Sequence, residues 1–477
     1  MSGDNGIDAS VHLTTLSEET ELMSDEMVEF LRSNPTAYAG HRLIANYIQV
    51  DDYDGDTNEN NEVPFLNYWF FAIALFGYWL LRRILHLVGV SDAPSGFDGH
   101  LIVMHSDRHD KRHTLTAVGQ QLLNQGQDVV LLCSPEARSY QTDWEEQGFS
   151  TTSFVALLGA IPLRGWLSVI GTTIRAVRGL RDQDPDAFDT ARKTIVFNFI
   201  FLEAVKAQAL VQTTDSPTIH TYSPMGYVMA ATEFDRVFGY QHGLLHGGYE
   251  SESECDYQEY KRGYPFFAPI NYLTWCAQWH DKLQYSVPSD AKLFATGSPW
   301  HEFLAQYEIE TEIDEKYDVL FLSSTGRQTT EGEEAFEEFV DRLISVCEQH
   351  GWELNIKLHP KETGDWYAER DWSEYVIDLD VGIKEALLTA KVAITTGSSV
   401  LIESMLLDTP ICVWFSSKSA LEENQDIDFI NHVTLDTIGS KIESVIEIKP
   451  EDYDTSSILG CDEATDRIVE IVTDSVT

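Results

Sequence analysis

Two stretches in the last third of the chain decide its fold: Ile356-Lys357-Leu358-His359-Pro360, and further on Ile394-Thr395-Thr396-Gly397-Ser398-Ser399-Val400-Leu401-Ile402-Glu403. Each is a short apolar run, the pattern of a strand buried on both faces, that ends in small or polar residues. The second passes directly into a helical pattern. Strand, polar turn and helix in succession mark an open α/β sheet, and such sheets bind phosphorylated ligands beyond the carboxyl ends of their strands.

The same logic extends outward in both directions. Upstream, strands are predicted at Tyr317–Leu322 and Glu353–Leu358, with a long helix Glu331–Gln349 between them. Downstream come a helix at Val400–Leu407 and a strand at Ile411–Phe415. An earlier series begins with the strand His100–His105, a helix Thr114–Asn124 and the strand Val129–Cys133. It continues with strands at Thr218–Tyr222, Val237–Gln241, Tyr272–Gln278 and Leu293–Thr296. The expected fold class is α/β, with two Rossmann-like doubly wound domains in series. The expected division is an acidic N-terminal region over 1–63, a hydrophobic segment over 64–96, one α/β domain over 97–310, a second over 311–430, and an acidic helical tail over 431–477.

Composition narrows the function classes. Thirty-two Lys and Arg against 78 Asp and Glu leave a net charge of −46 in 477 residues, while hydrophobic content is an ordinary 43%. So much self-repulsion fits a salt-loaded cytoplasm, where screening is short-ranged, and a halophile is the expected source. An acidic protein with a basic partner is the other reading. No basic stripe exists to neutralise phosphate backbones, so nucleic acid is excluded as a partner. The six cysteines show no paired ligand spacing and read as reduced core residues.

Phe65–Leu81 is apolar apart from Asn67, has aromatic pairs near both ends (Tyr68-Trp69 and Tyr78-Trp79), and is closed by Arg82-Arg83. It is slightly short for a span of about 20 residues. A span, an interfacial anchor and a buried core helix all remain open, with membrane contact favoured. The helix expected over 162–181 carries Arg164, Arg175, Arg178 and Arg181. That pattern suits an anionic lipid surface or a helix packed on a sheet.

The candidate chemistry sits at predicted strand ends. Pro360 fixes the backbone past one strand and holds His359 extended at its carboxyl end, unless His359 merely caps the next helix. Gly397, Ser398 and Ser399 offer N–H groups and hydroxyls to a phosphate, or simply cap a helix. Glu403 is placed to accept ribose hydroxyls, or is a surface carboxylate. Ser323-Ser324-Thr325-Gly326-Arg327 ends another strand and offers N–H groups with Arg327, and Lys357 adds a cation. In the first domain, Gln241-His242-Gly243-Leu244-Leu245-His246-Gly247-Gly248 lets a ligand approach the backbone. The loop His105–His113 holds Asp107 and Asp110, which are general-base candidates or solvated carboxylates. No P-loop, GxSxG elbow, metal-ligand set or cofactor fingerprint is present.

With His242-Gly243, His359-Pro360 and Ser398-Ser399 in that order, the chain resembles the GT-B glycosyltransferases and glycerophosphotransferases that build surface polysaccharides. That group contains capsule-polysaccharide transferases, bacterial polysialyltransferases and CDP-glycerol glycerophosphotransferases. The resemblance covers roughly residues 97–420. It implies that His359 and the serines hold the donor's phosphates, that His242 activates the acceptor hydroxyl, and that no metal takes part. The expectation is a cytoplasmic enzyme at the inner face of the cell membrane, moving a sugar from a nucleotide donor to a lipid-linked or surface-glycan acceptor. A CDP-alcohol phosphotransferase and a UDP-sugar 2-epimerase of the same fold are the alternatives, followed by a non-catalytic membrane scaffold.

Overall fold

A computed structural model describes residues 37, 76–84, 97–104, 108–134, 136–183, 193–213, 217–222, 236–241, 271–277, 280, 292–307, 317–323, 332–359, 362, 364–377, 381–396, 400–414, 431–446 and 463–474. The architecture is the expected one: α/β, with two parallel, Rossmann-like sheets in two compact units.

The first unit is built from β1 (His100–Met104), α1 (His109–Asn124), β2 (Val129–Cys133), β3 (Ser150–Ser153), α2 (Leu163–Gln183), α3 (Lys193–Thr213), β4 (Thr218–Thr221), β5 (Val237–Tyr240), β6 (Asn271–Thr274) and β7 (Lys292–Ala295). Its strands run in the order β3-β2-β1-β4-β5-β6-β7, so the winding reverses between β1 and β4. β1, β2, β4 and β5 are buried along their whole length, and apart from His100 and His220 they carry only apolar or small residues. Gly119 lets α1 approach β1 closely: a Cβ there would stand 2.8 Å from Ile102 Cδ1.

The second unit gathers α4 (Pro299–Ala305), β8 (Tyr317–Leu322), α5 (Gly332–His350), β9 (Leu354–Lys357), α6 (Ile383–Leu388), β10 (Ala390–Thr395), α7 (Val400–Leu406), β11 (Ile411–Trp414), β12 (Asn431–Val433) and α8 (Ile438–Val445). The strand order is β12-β11-β10-β8-β9, with the reversal between β8 and β10. Alternate residues face opposite layers, as a pleated strand requires. Val319, Phe321, Ile356, Val392 and Ile394 join one core cluster with the apolar face of α5. Leu320, Leu322, Ala393 and Val413 join another with Trp300, Leu401 and Met405. Phe339 of α5 stacks on Trp414 of β11 at 4.2 Å between ring centroids. Gly351, at φ +68, supplies the left-handed turn that ends α5 and admits β9.

Several details differ from the sequence expectation. α1 begins at His109, so Asp110 lies in a helix rather than in a loop. Residues 431–445, assigned to a terminal tail, form β12 and α8 of the second sheet's layers. The last described helix, α9 (Ala464–Asp474), returns to the first unit, where Ile468, Val469 and Val472 enter the core and Arg236 Nη2 donates to Val472 O at 2.8 Å. Of the apolar segment near the N-terminus, residues 76–84 are described and helical. Trp79 is buried and its indole N–H donates to Ile161 O at 3.0 Å, while Arg83 donates to Gly159 O at 3.0 Å. Among the described residues no helix is long and apolar enough to cross a membrane.

A chain of buried polar groups runs through the first sheet. His100 Nδ1 lies 3.0 Å from His220 Nε2, and His220 Nδ1 lies 2.7 Å from the Tyr240 hydroxyl. A neutral imidazole donates through one nitrogen and accepts through the other, so His220 satisfies both neighbours uncharged. Burial, with Arg236 adding to it, lowers His100 to about 4; burial, then His100 and Arg236, holds His220 well below the ordinary histidine range. Both rings take up protons on unfolding. Their contribution to stability is therefore complete above the unfolded histidine value of about 6.5 and lost as pH falls towards the folded values. Wild type should lose unfolding midpoint in urea between about pH 7.5 and 5.5. His100→Gln, which cannot titrate, should lose less over the same interval. Equal losses in the two proteins would show that the His100 ring is not held neutral.

Candidate functional site

The register of the second sheet sets the geometry of its carboxyl edge. Lys357 of β9 pairs with Leu322 of β8, and Leu322 pairs with Thr395 of β10. These are the last residues of three adjacent parallel strands. Neighbouring strands lie about 4.8 Å apart, so the three chain ends sit side by side within about 10 Å. His359 follows two residues past one end, and the Gly397-Ser398-Ser399 run starts two residues past another. The strand between them, β8, is one of the two flanking the winding reversal, the position at which open α/β sheets receive ligands.

Three contacts fix this edge. Past β9, His359 N–H donates to Glu362 Oε2 at 2.9 Å and Glu362 N–H donates to His359 O at 2.8 Å, so the two residues hold each other reciprocally. The buried Tyr367 hydroxyl meets the Ser323 hydroxyl at 2.6 Å, which ties the segment after His359 to the end of β8. Glu403, in the first turn of α7, accepts from the indole N–H of Trp300 at 3.2 Å. Its carboxylate is thus oriented by α4.

The first sheet has its own level edge, where Val103 of β1, Thr221 of β4 and Gly239 of β5 share one register. Beyond β5, Gln241 is buried and doubly used: its Oε1 accepts from Trp275 N–H at 3.0 Å and its carbonyl from the Trp275 indole at 3.2 Å. The residue immediately before His242 is thereby locked to the end of β6. At the start of α1, Asp110 receives Arg108 through both oxygens, at 3.2 and 2.9 Å. The Arg112 guanidinium lies over the Tyr140 ring at 3.7 Å. Burial, then His109 and Arg112, lowers His113 to about 4, so this imidazole is uncharged near neutral pH.

Of the residues singled out from sequence, Asp110, Lys357, His359 and Glu403 are described; Asp107, His242, Arg327, Pro360, Gly397, Ser398 and Ser399 lie outside the described residues. Lys357 and His359 share the second sheet's carboxyl edge, and Glu403 lies on the helix that follows β10. Asp110 belongs to the first unit and is engaged by Arg108. Trp275, Tyr367 and Trp300 carry no sequence signal, and the sequence does not reveal the partners of Gln241 and Ser323. Each is paired with a residue far along the chain, and no local pattern announces such a pair.

No family model matches the chain, and no curated protein matches it. Solved structures do. The UDP-GlcNAc 2-epimerase from Methanocaldococcus jannaschii, in complex with UDP-GlcNAc and UDP, matches at 12% identity and a TM-score of 0.48, over 79% of this chain and 99% of that one. A glycosyltransferase from Rickettsia africae matches at 10% and 0.43, over 80% and 100%. MurG from Acinetobacter baumannii matches at 11% and 0.38, over 79% and 99%. At such identities and scores these neighbours say nothing of what this chain binds.

Gln241→Leu should cost about 1–3 kcal/mol of stability, because it leaves the Trp275 N–H buried without its acceptor. Chemical denaturation checks the loss; an unchanged midpoint would mean that the lock is not a real constraint.

Proposed function

We propose that the chain is a GT-B glycosyltransferase of surface-polysaccharide or glycan biosynthesis, moving a sugar from a nucleotide-activated donor to a lipid-linked or surface-glycan acceptor. The observation that carries this reading is the level edge of β9, β8 and β10, with a histidine beyond one strand and a Gly-Ser-Ser run beyond another. The ordered trio His242-Gly243, His359-Pro360 and Ser398-Ser399 supports it.

In this reading Lys357, His359 and Arg327 supply positive charge or N–H donors to the donor's phosphates, while Gly397, Ser398 and Ser399 supply backbone N–H and hydroxyl groups. Pro360 fixes the turn that presents His359. Glu403, oriented by Trp300, accepts the ribose hydroxyls. His242 takes the proton from the acceptor hydroxyl, with Asp107 as the alternative base. Asp110 is the weakest of the three candidates, since Arg108 occupies its carboxylate. Rate enhancement comes from positioning, one base, and stabilisation of the departing nucleotide phosphate without a metal. The enzyme works on the cytoplasmic face of the membrane of a halophile, where strong salt screens its −46 charge.

Calorimetry against UDP, GDP, CDP and CMP in about 2 M KCl, a salt level at which screening is strong, tests the donor site. One nucleotide should bind, and His359→Ala and Ser398→Ala should each weaken it by about tenfold or more, the scale of a lost charge-assisted hydrogen bond. Retained binding in both variants would refute the site. With a cognate sugar donor, nucleotide release should require acceptor and persist in EDTA. Release without acceptor would favour epimerisation or hydrolysis.

A further inference from the structure

We infer that α2, together with the helical stretch 76–84 docked beside it, is a membrane-surface platform that takes an anionic bilayer and lies in its interface rather than crossing it. The inference deepens the membrane part of the reading above and needs no bound nucleotide.

The sequence of α2 divides its surface into three strips at about 100° per residue. Trp166, Val169, Thr173, Ala176 and Leu180 point into the first unit and are buried. Leu163, Leu167, Ile170 and Ile174 form a second strip, well away from the core, with Leu163 63% and Leu167 65% exposed. That strip runs about 16 Å along the helix at about 1.5 Å per residue. The third strip begins at its border: Arg164 lies beside the exposed leucines, Arg175 and Arg178 beside Ile174, and Arg181 stands at the strip's end. The helix carries four arginines and one acid, Asp182, in a chain with 78 acids and 32 bases.

The neighbouring stretch 76–84 repeats the pattern. Trp79 and Arg83 face the protein, while Leu80, Leu81 and Ile84 are each about half exposed. The two stretches meet at the buried side of α2, where the Phe76 ring meets the buried Trp166 edge-on at 5.8 Å. This stretch carries Arg82 and Arg83 and no acid. An exposed apolar stripe flanked by arginines is the composition of a helix lying in the headgroup region.

Charge selects the occupant. A second copy of this chain would bring another −46 to the contact and set arginine strips against each other in a two-fold pairing. An anionic bilayer meets the arginines instead. The long-range repulsion from the rest of the chain is screened beyond about 8 Å at physiological ionic strength, and sooner in stronger salt, so the headgroups respond to the local strip.

Flotation of the purified full chain with phosphatidylcholine vesicles, with and without phosphatidylglycerol, tests the inference. Wild type should float with the anionic vesicles and be released by carbonate. Leu167→Glu combined with Ile170→Glu should lower partitioning by about tenfold or more. Arg175→Gln combined with Arg178→Gln should remove the preference for phosphatidylglycerol. Leu163→Gln, at the end of the strip, provides a milder variant if the double glutamate disturbs folding by circular dichroism. Wild type that stays off both vesicle types, Leu167 and Ile170 variants that float like wild type, or retention after carbonate would each overturn the platform. So would a wild-type dimer, made monomeric by the glutamates, that ignores vesicles. Nucleotide affinity measured on the same variants separates the outcomes: loss of flotation with intact binding leaves the donor site standing, and the converse leaves the platform standing.

Discussion

The parallel register that brings Lys357, Leu322 and Thr395 level is the constraint on which the candidate site depends. A one-residue slip of β9 against β8 would turn Ile356 from the core to the opposite face and withdraw His359 from the edge. The register is held by burial on both sides of the sheet: Phe321, Ile356 and Ile394 on one face, Leu320, Ala393 and Val413 on the other. At about 1.5–3 kcal/mol for each large buried side chain, slippage would cost far more than any single polar contact at the edge recovers. The ends of β8, β9 and β10 are positioned by this core.

The second organising force is charge. In a chain at −46 the cations are few, and several of the described arginines are grouped. Arg108 and Arg112 cluster at the start of α1, Arg236 fastens α9 to the first sheet, and Arg164, Arg175, Arg178 and Arg181 line α2. Within the first sheet the buried polar groups are uncharged instead, as the chain from His100 through His220 to Tyr240 shows.

The parts of the fold legible in the sequence were those whose period survives burial. β1, β2 and β8 through β11 stand out as short apolar runs between turn residues, and α5 shows its apolar face at Phe336, Phe339, Val340, Leu343 and Cys347. β3 was not seen, because Ser150-Thr151-Thr152-Ser153 is an edge strand with no apolar residue to reveal it. α3 was missed for the opposite reason: Ile195-Val196-Phe197, like Phe199-Ile200-Phe201-Leu202, is apolar without a helical period. β12 is three residues long, and the docking of α9 on the first sheet is a tertiary choice that no local pattern carries. Among the candidate residues, the sequence places Lys357 and His359 at the carboxyl end of a strand. The Ser323–Tyr367, Trp300–Glu403 and Gln241–Trp275 pairings are not legible in it, since each joins residues 34 to 103 positions apart.

The central claim, that the carboxyl edge of the second sheet holds a nucleotide, is tested most directly by amide hydrogen exchange with and without a saturating nucleoside diphosphate. The account predicts added protection concentrated in peptides covering 323–327, 357–362 and 396–403. Protection confined to the first sheet, or binding with no change in those three segments, would contradict it.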